Sequence, residues 1–476
     1  MQNTSLPAKA MIPVKDISSP YPPESVARKW LRILGNGMAR HRRIILGVQW
    51  MVVVVYAFLV VAPAFLPLPD EDVHLWNDLT RFAQFAFWGI WWPFVMLSMM
   101  LMGRVWCGVF CPEGALSEYA SRRGLGLTIP RWLRWGGWPF VSFALTTLIG
   151  QLTSIYEYPK PVLLILGGST IAAVVIGFLY GRGVRVWCRY LCPANGVFAL
   201  LARVAPVHFA VSEAAWNRAQ REPAVDCPPL LDVKHQAGSG ACHSCGRCSG
   251  HRDAVTLEPR SFTEGVVSLK SGKGMNWESI TLLFGVLGVA TGAFQWSASP
   301  YYVKLNMWLA SLTIKLDATW LFNADAPWWV LTHYPEVNDA FSWLDGISIT
   351  LYIMATALFM GLGQSLFLVV AQRIAGGAVA FWRLALALTP MGGISVFLGL
   401  SMLTLNQLRQ DGIVLHGVAD ARIALLSLAV LWSLWIAWQT FDRHNVSITR
   451  RVFALPWVVA ALALPAGSWA LLFFVW

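Results

Sequence analysis

The chain has 476 residues, 56% of them hydrophobic and only 13% charged, with a formal net charge of +11 and a mean hydropathy of +0.54. A soluble domain carries about 25% charged residues, so this composition excludes a soluble globular enzyme and predicts an all-α polytopic membrane protein embedded in a lipid bilayer. The Lys and Arg residues flank apolar runs instead of forming one patch, which speaks against nucleic acid as a partner.

Residues 1–43 are polar and basic and are expected to form a cytoplasmic N-terminal segment. The first apolar run starts too late, and is too long, for a cleaved signal peptide. A transmembrane helix needs roughly 20 mostly apolar residues. Nine such runs are predicted, near 44–66, 82–102, 135–155, 161–180, 276–296, 346–371, 384–405, 421–441 and 452–474. With the N-terminus inside, the inside segments hold 30 of the 36 Lys and Arg and the outside loops 6, the usual positive-inside pattern. The outside loops carry Asp70, Glu71, Asp72, Asp78, Asp325, Glu336, Asp339 and Asp345 instead.

The region 44–205 reads as two helical hairpins, each ending in the same element. "RVWCGVFCPEGAL" runs from Arg104 to Leu116 and "RVWCRYLCPANGV" from Arg185 to Val197. Two like-oriented hairpins imply a pseudo-two-fold axis along the membrane normal, which would bring Cys107, Cys111, Cys188 and Cys192 together. Proline after the second cysteine fits the first turn of a helix. Cys111 and Cys192 are therefore expected as N-caps, with both helix N-termini favouring an anionic centre. Arg104, Arg185 and Arg189 add positive charge nearby. Trp106 and Trp187 are expected as anchors, with packing on a cluster as the alternative.

The segment 206–275 reads as a cytoplasmic insert. "CHSCGRC" places Cys242, Cys245 and Cys248 at the two-residue spacing of bacterial ferredoxins, where a fourth cysteine four positions on is followed by proline. Here Arg252 and Asp253 stand at those positions. The fourth ligand is then Cys227, which precedes Pro228, or Cys111 or Cys192 lent by the hairpins. Eight cysteines match two 4Fe-4S clusters of four ligands each, and two are favoured over one. The alternatives are a zinc site on the insert, with His243 or His251, and unligated or redox-active thiols in the hairpins. All eight cysteines lie in inside segments, where thiols stay reduced and structural disulfides are not expected. No Cys-x2-Cys-His for covalent haem is present.

The stretch 276–476 reads as a five-helix membrane domain with a periplasmic loop at 297–345, whose apolar, Trp-rich part is expected to lie along the outer interface. Met96, Met99, Met100 and Met102 are expected to pack a span rather than to form a metal path.

At the two Cys-x3-Cys-Pro elements and the cysteine run, over about residues 40–260, the sequence resembles membrane polyferredoxins of the NapH/NosR/CcoG type. The resemblance implies a multi-pass protein of the bacterial cytoplasmic (inner) membrane, N-terminus cytoplasmic and C-terminus periplasmic, with iron–sulfur clusters at the cytoplasmic side. It implies electron transfer between the cytoplasmic face or quinone pool and a membrane or periplasmic redox partner, rather than a self-contained enzyme. Other membrane subunits, such as a reductase, are implied partners. The extra spans after residue 275 look similar to the FtrD-like subunit of ferrous-iron uptake systems. That implies the alternative of a metal-homeostasis factor, acting with a permease and a periplasmic metal-binding protein in iron or copper uptake or oxidase maturation. No catalytic base or nucleophile is predicted.

Overall fold

The computed structural model describes residues 25–69, 73–218, 224–236, 238–269 and 275–476. Residues 1–24 of the expected N-terminal segment and the acidic Asp70, Glu71 and Asp72 lie outside them. Eight helices among the described residues are long and apolar enough to cross a membrane: Arg42–Phe65, Leu79–Met102, Pro159–Tyr180, Asn276–Ala298, Trp343–Ile374, Thr389–Gln410, Val418–Arg443 and Ile448–Phe474.

The predicted run at 135–155 forms a shorter helix, Trp138–Leu152, of 15 residues. At about 1.5 Å per residue it is roughly 22 Å long, short of the ~30 Å hydrocarbon layer. It nevertheless joins opposite ends of the bundle. Just ahead of it, Trp135 meets Trp277 at the start of Asn276–Ala298, ring centroids 5.0 Å apart. At its end, the Leu152 carbonyl accepts from the Thr332 N–H at 2.8 Å, close to the start of Trp343–Ile374. Gly136 and Gly137 end the run on one side, and Ser154, with φ 48°, turns the chain on the other. The chain thus returns to the face it left, and both cysteine elements share one face.

The membrane domain packs through small residues. A Cβ added to Gly288 would lie 2.8 Å from the Ala357 Cα, and one added to Gly292 would lie 3.1 Å from the Ile353 Cα. This is a small-xxx-small contact that lets two helix backbones approach closely. Met96, Met99 and Met100 are buried in the main hydrophobic core, as packing residues. Beyond it, helix Pro300–Lys315 exposes Met307, Trp308 and Ile314, an apolar surface suited to an interface.

The insert adds a short sheet that hydrophobic-run reading did not predict. Strand β1, Val207–Val211, pairs antiparallel with β2, Val255–Pro259, with Phe209 opposite Leu257. Alternation puts Phe209, Val255 and Leu257 on one face, where they pack with Cys242 and Cys248. The amphipathic helix Val26–Arg40 covers this unit, its Gly35 set against Leu257 and Phe209.

Candidate metal centre

The first cysteine element follows Leu79–Met102 through Gly103, whose φ of 66° redirects the chain. Cys107 then sits in a π-helical segment, Trp106–Phe110, a widened turn common at functional sites. Cys111 caps helix Pro112–Ser121, its Sγ accepting from the Gly114 N–H at 3.4 Å, as expected. The second element differs. Cys188 lies in helix Val186–Tyr190, but Cys192 does not cap the next helix, Asn195–Leu201; Ala194 does. The Pro193–Ala194 turn intervenes, with the Asn195 N–H donating to the Cys192 carbonyl. The repeat is therefore pseudo-symmetric in its first cysteine and asymmetric after its second.

Cross-links between the two elements are reciprocal. Arg104, of the first, donates to Asn195 Oδ1 beyond the second at 2.8 Å and to Cys107 Sγ at 3.7 Å. Arg185, of the second, reaches Glu118 beyond the first at 2.9 Å and the Cys107 carbonyl at 2.6 Å. Trp187 donates to Glu113 Oε2 at 3.1 Å and its buried ring packs with Cys188 and Cys192, so it does not face lipid as an anchor. Trp106 packs against Trp91 with centroids 5.0 Å apart.

These contacts gather Cys107, Cys111, Cys188 and Cys192 into one quartet, in which every pair of thiols lies within electrostatic reach. Cys227, Cys242, Cys245 and Cys248 form a second quartet by the same measure. Cys227 is thus within electrostatic reach of all three cysteines of the run. Arg185 stands between the quartets and feels Cys188, Cys245 and Cys111. The quartets abut through Gly108, whose added Cβ would overlap the His243 carbonyl and lie 2.8 Å from the Cys245 nitrogen.

All eight cysteines are free thiols; Cys107, Cys188, Cys242 and Cys248 are buried and the others half-buried. Burial, with neighbouring thiols adding to it, pushes Cys242 up to about 11. Burial likewise pushes Cys188 up to about 12, although Arg185 opposes it, and drives Cys111 and Cys192 well above the usual thiol range. Without positive metal, four buried thiols cannot all ionise side by side. The donor set fits an all-thiolate cluster, and N–H groups already point at sulfur: Gly114 at Cys111, and Ser244 at Cys242 at 3.4 Å. A single tetrahedral zinc, with Zn–S of about 2.3 Å, needs sulfurs drawn within about 4 Å of one another. Among the described residues, no three His, Cys, Asp or Glu side chains form a group that could hold one metal ion.

Sequence reasoning missed the residues that tie the quartets together. Glu118, buried on helix Pro112–Ser121, takes Arg185, Arg122 at 3.1 Å and Arg247 at 2.8 Å. Burial raises its carboxyl, but Arg185 and Arg247 overcome that and hold it below the usual carboxylate range. Beside Cys111 and Cys192 lies a mostly apolar cavity of about 250 Å³, lined by Tyr56, Trp88, Trp91, Trp106, Glu113 and Tyr156 among others.

The chain is thus a polytopic helical protein with two groups of four cysteines at one face. The family described as "4Fe-4S binding domain" matches residues 84–136 and 163–211, one segment over each cysteine element. The chain is 23% identical over 241 residues to the putative electron transport protein YccM of Escherichia coli, covering 43% of this chain and 65% of YccM. It is 27% identical over 153 residues to the methylamine utilization ferredoxin-type protein MauN of Methylorubrum extorquens, covering 29% and 50%. It is 27% identical over 175 residues to the ferredoxin-type protein NapH of Escherichia coli, covering 30% and 58%. The chain thus spans between half and two thirds of the length of these relatives. No solved structure matches it. On these matches the chain is similar to membrane ferredoxin-type proteins of the NapH type. These relatives do not single out an iron-uptake subunit.

Proposed function

We propose that the first quartet, Cys107, Cys111, Cys188 and Cys192, holds one 4Fe-4S cluster and the second, Cys227, Cys242, Cys245 and Cys248, holds another. Each cluster supplies one-electron transfer when bound. The protein's part is to hold eight thiolates, to aim N–H groups and arginines at them, and to keep water out. With the cysteine face cytoplasmic, electrons pass between that face and a membrane or periplasmic redox partner. The carrying observation is the abutment at Gly108, which leaves no side chain between the Cys107 segment and Cys245.

One observation favours the quinone pool as the membrane-side partner. The 250 Å³ apolar cavity borders Cys111 and Cys192, and Tyr56 and Glu113 are polar groups on its wall. Glu113 is fixed by Ser169, which donates at 2.7 Å, and by Trp187. A ring-shaped apolar carrier fits such a wall, with hydrogen-bonding groups beside the thiols.

Iron and sulfide analysis of anaerobically purified protein tests this reading. Two clusters are expected, and Cys245→Ser should remove about half the iron together with one reduced-state paramagnetic signal. Cys227→Ser should remove the same half. Stoichiometric zinc without iron, or an intact second cluster in Cys227→Ser, refutes the assignment.

A further inference from the structure

A second cavity, of about 530 Å³, opens between the membrane domain and the insert. It is bounded by the starts of helices Trp138–Leu152 and Asn276–Ala298, by the second cysteine element and by the insert. It is not a cluster chamber: no cysteine of the second quartet lines it, and of the first only Cys188 does.

Three nearly buried cationic or imidazole groups on its wall carry an unpartnered nitrogen. Arg104 is 3% exposed, Arg203 4% and His243 3%. Arg104 spends its terminal nitrogens on Gly240, Asn195 and Cys107, yet its Nε has no partner. Arg203 gives Nε and Nη2 to Glu278, the latter at 2.6 Å, and its Nη1 has none. His243 Nδ1 is likewise without a partner. A buried polar group left unpaired costs about 1–3 kcal/mol, and all three residues belong to the lining of this one cavity.

The charge balance says which sign that ligand has. Of the acids on the wall, Glu278 is closed by Arg203 and Asp232 by His235 at 2.7 Å. Arg104, Arg134 and Arg189 also line the cavity, and no ion pair joins any of them to a carboxylate among the described residues. The guanidinium fork of Arg134, exposed on this wall, matches the tetrahedral oxygens of phosphate. Trp135 and Trp277 stand at the rim, where the membrane helices begin. We propose that this cleft binds a phosphate ester, its phosphate received by Arg134 together with Arg104, Arg203 and His243 and its organic part by the two tryptophans. The proposal stands whether or not the quartets hold clusters. An anionic phospholipid headgroup and a soluble nucleotide both present this chemistry.

The test uses full-length, delipidated protein in detergent with two probes, dihexanoyl phosphatidylglycerol and adenosine 5′-monophosphate. Binding is read by calorimetry, and protection of Arg134 from phenylglyoxal by peptide mapping. At least one probe should bind saturably and protect Arg134, and Arg134→Gln should weaken that probe at least tenfold at unchanged iron content. Binding of the lipid alone identifies a headgroup site, and binding of the nucleotide identifies a soluble ligand. Absence of binding or protection with both probes, or equal affinity in Arg134→Gln, overturns the proposal. If the variant loses its iron, protection in the unaltered protein decides.

Discussion

Arg185, in the second cysteine element, closes on Glu118, beyond the first, at 2.9 Å, with side chains 1% and 5% exposed. The same carboxylate takes Arg247, inside the three-cysteine run, at 2.8 Å. One buried acid thus clamps both hairpins and the insert around the thiols.

Glu118→Gln keeps the side chain's shape but leaves Arg185 buried without a counter-charge. Breaking a buried pair costs about 3–5 kcal/mol. Iron per protein should fall for both quartets, and the thermal midpoint should drop. Arg122→Gln, which removes a partner 47% exposed, should change stability by at most about 1 kcal/mol and leave iron unchanged. Equal behaviour of the two variants would remove Glu118 from this role.

Gly108→Ala places a methyl group against the His243 carbonyl and the Cys245 nitrogen. Both are backbone, so neither gives way by rotating a side chain, and overpacking of this kind costs about 1–3 kcal/mol or more. The variant should lose iron and electronic communication between the clusters, read by redox titration with paramagnetic resonance. An unchanged titration would show that the close approach is not required.

His208, at the second position of β1, is pushed down to about 4 by burial and then by Arg260, while its bond with Glu258 opposes this. It is neutral at pH 7. Because the unfolded chain binds this proton near 6.5, the unfolded state holds more protons between pH 6.5 and 4. Stability of the insert therefore rises with pH across that window and falls on acidification. The thermal midpoint of the insert should drop from pH 7 to 4.5, and His208→Leu should flatten the dependence. A midpoint that rises on acidification contradicts the burial of a neutral ring.

Membrane orientation is tested by reporter fusions. Fusions after Gly124 and Gly250 should show cytoplasmic activity and one after Glu336 periplasmic activity, because the cysteine-bearing segments carry the Arg excess. A periplasmic signal at Gly250 would invert the electron path proposed above.

Much of this protein was legible from sequence because its signals are local and repetitive. Long apolar runs located the eight long helices, and the duplicated Arg-Val-Trp-Cys announced the repeat before any contact was known. Proline after Cys111 correctly marked a capped helix start; the same pattern at Cys192 did not, because Ala194 rather than the cysteine ends that turn. The run 135–155 looked like an ordinary span, since hydropathy counts apolar residues and not where a helix stops; Gly137 and Ser154 cut it to 15 residues. Composition by itself determined that the chain is a helical membrane protein. Only the tertiary structure decided that Cys227 sits with Cys242, Cys245 and Cys248, that Glu118 joins three arginines and that Gly108 must lack a side chain. Those facts depend on groups distant in sequence that meet through packing and charge, and no local pattern encodes such a meeting.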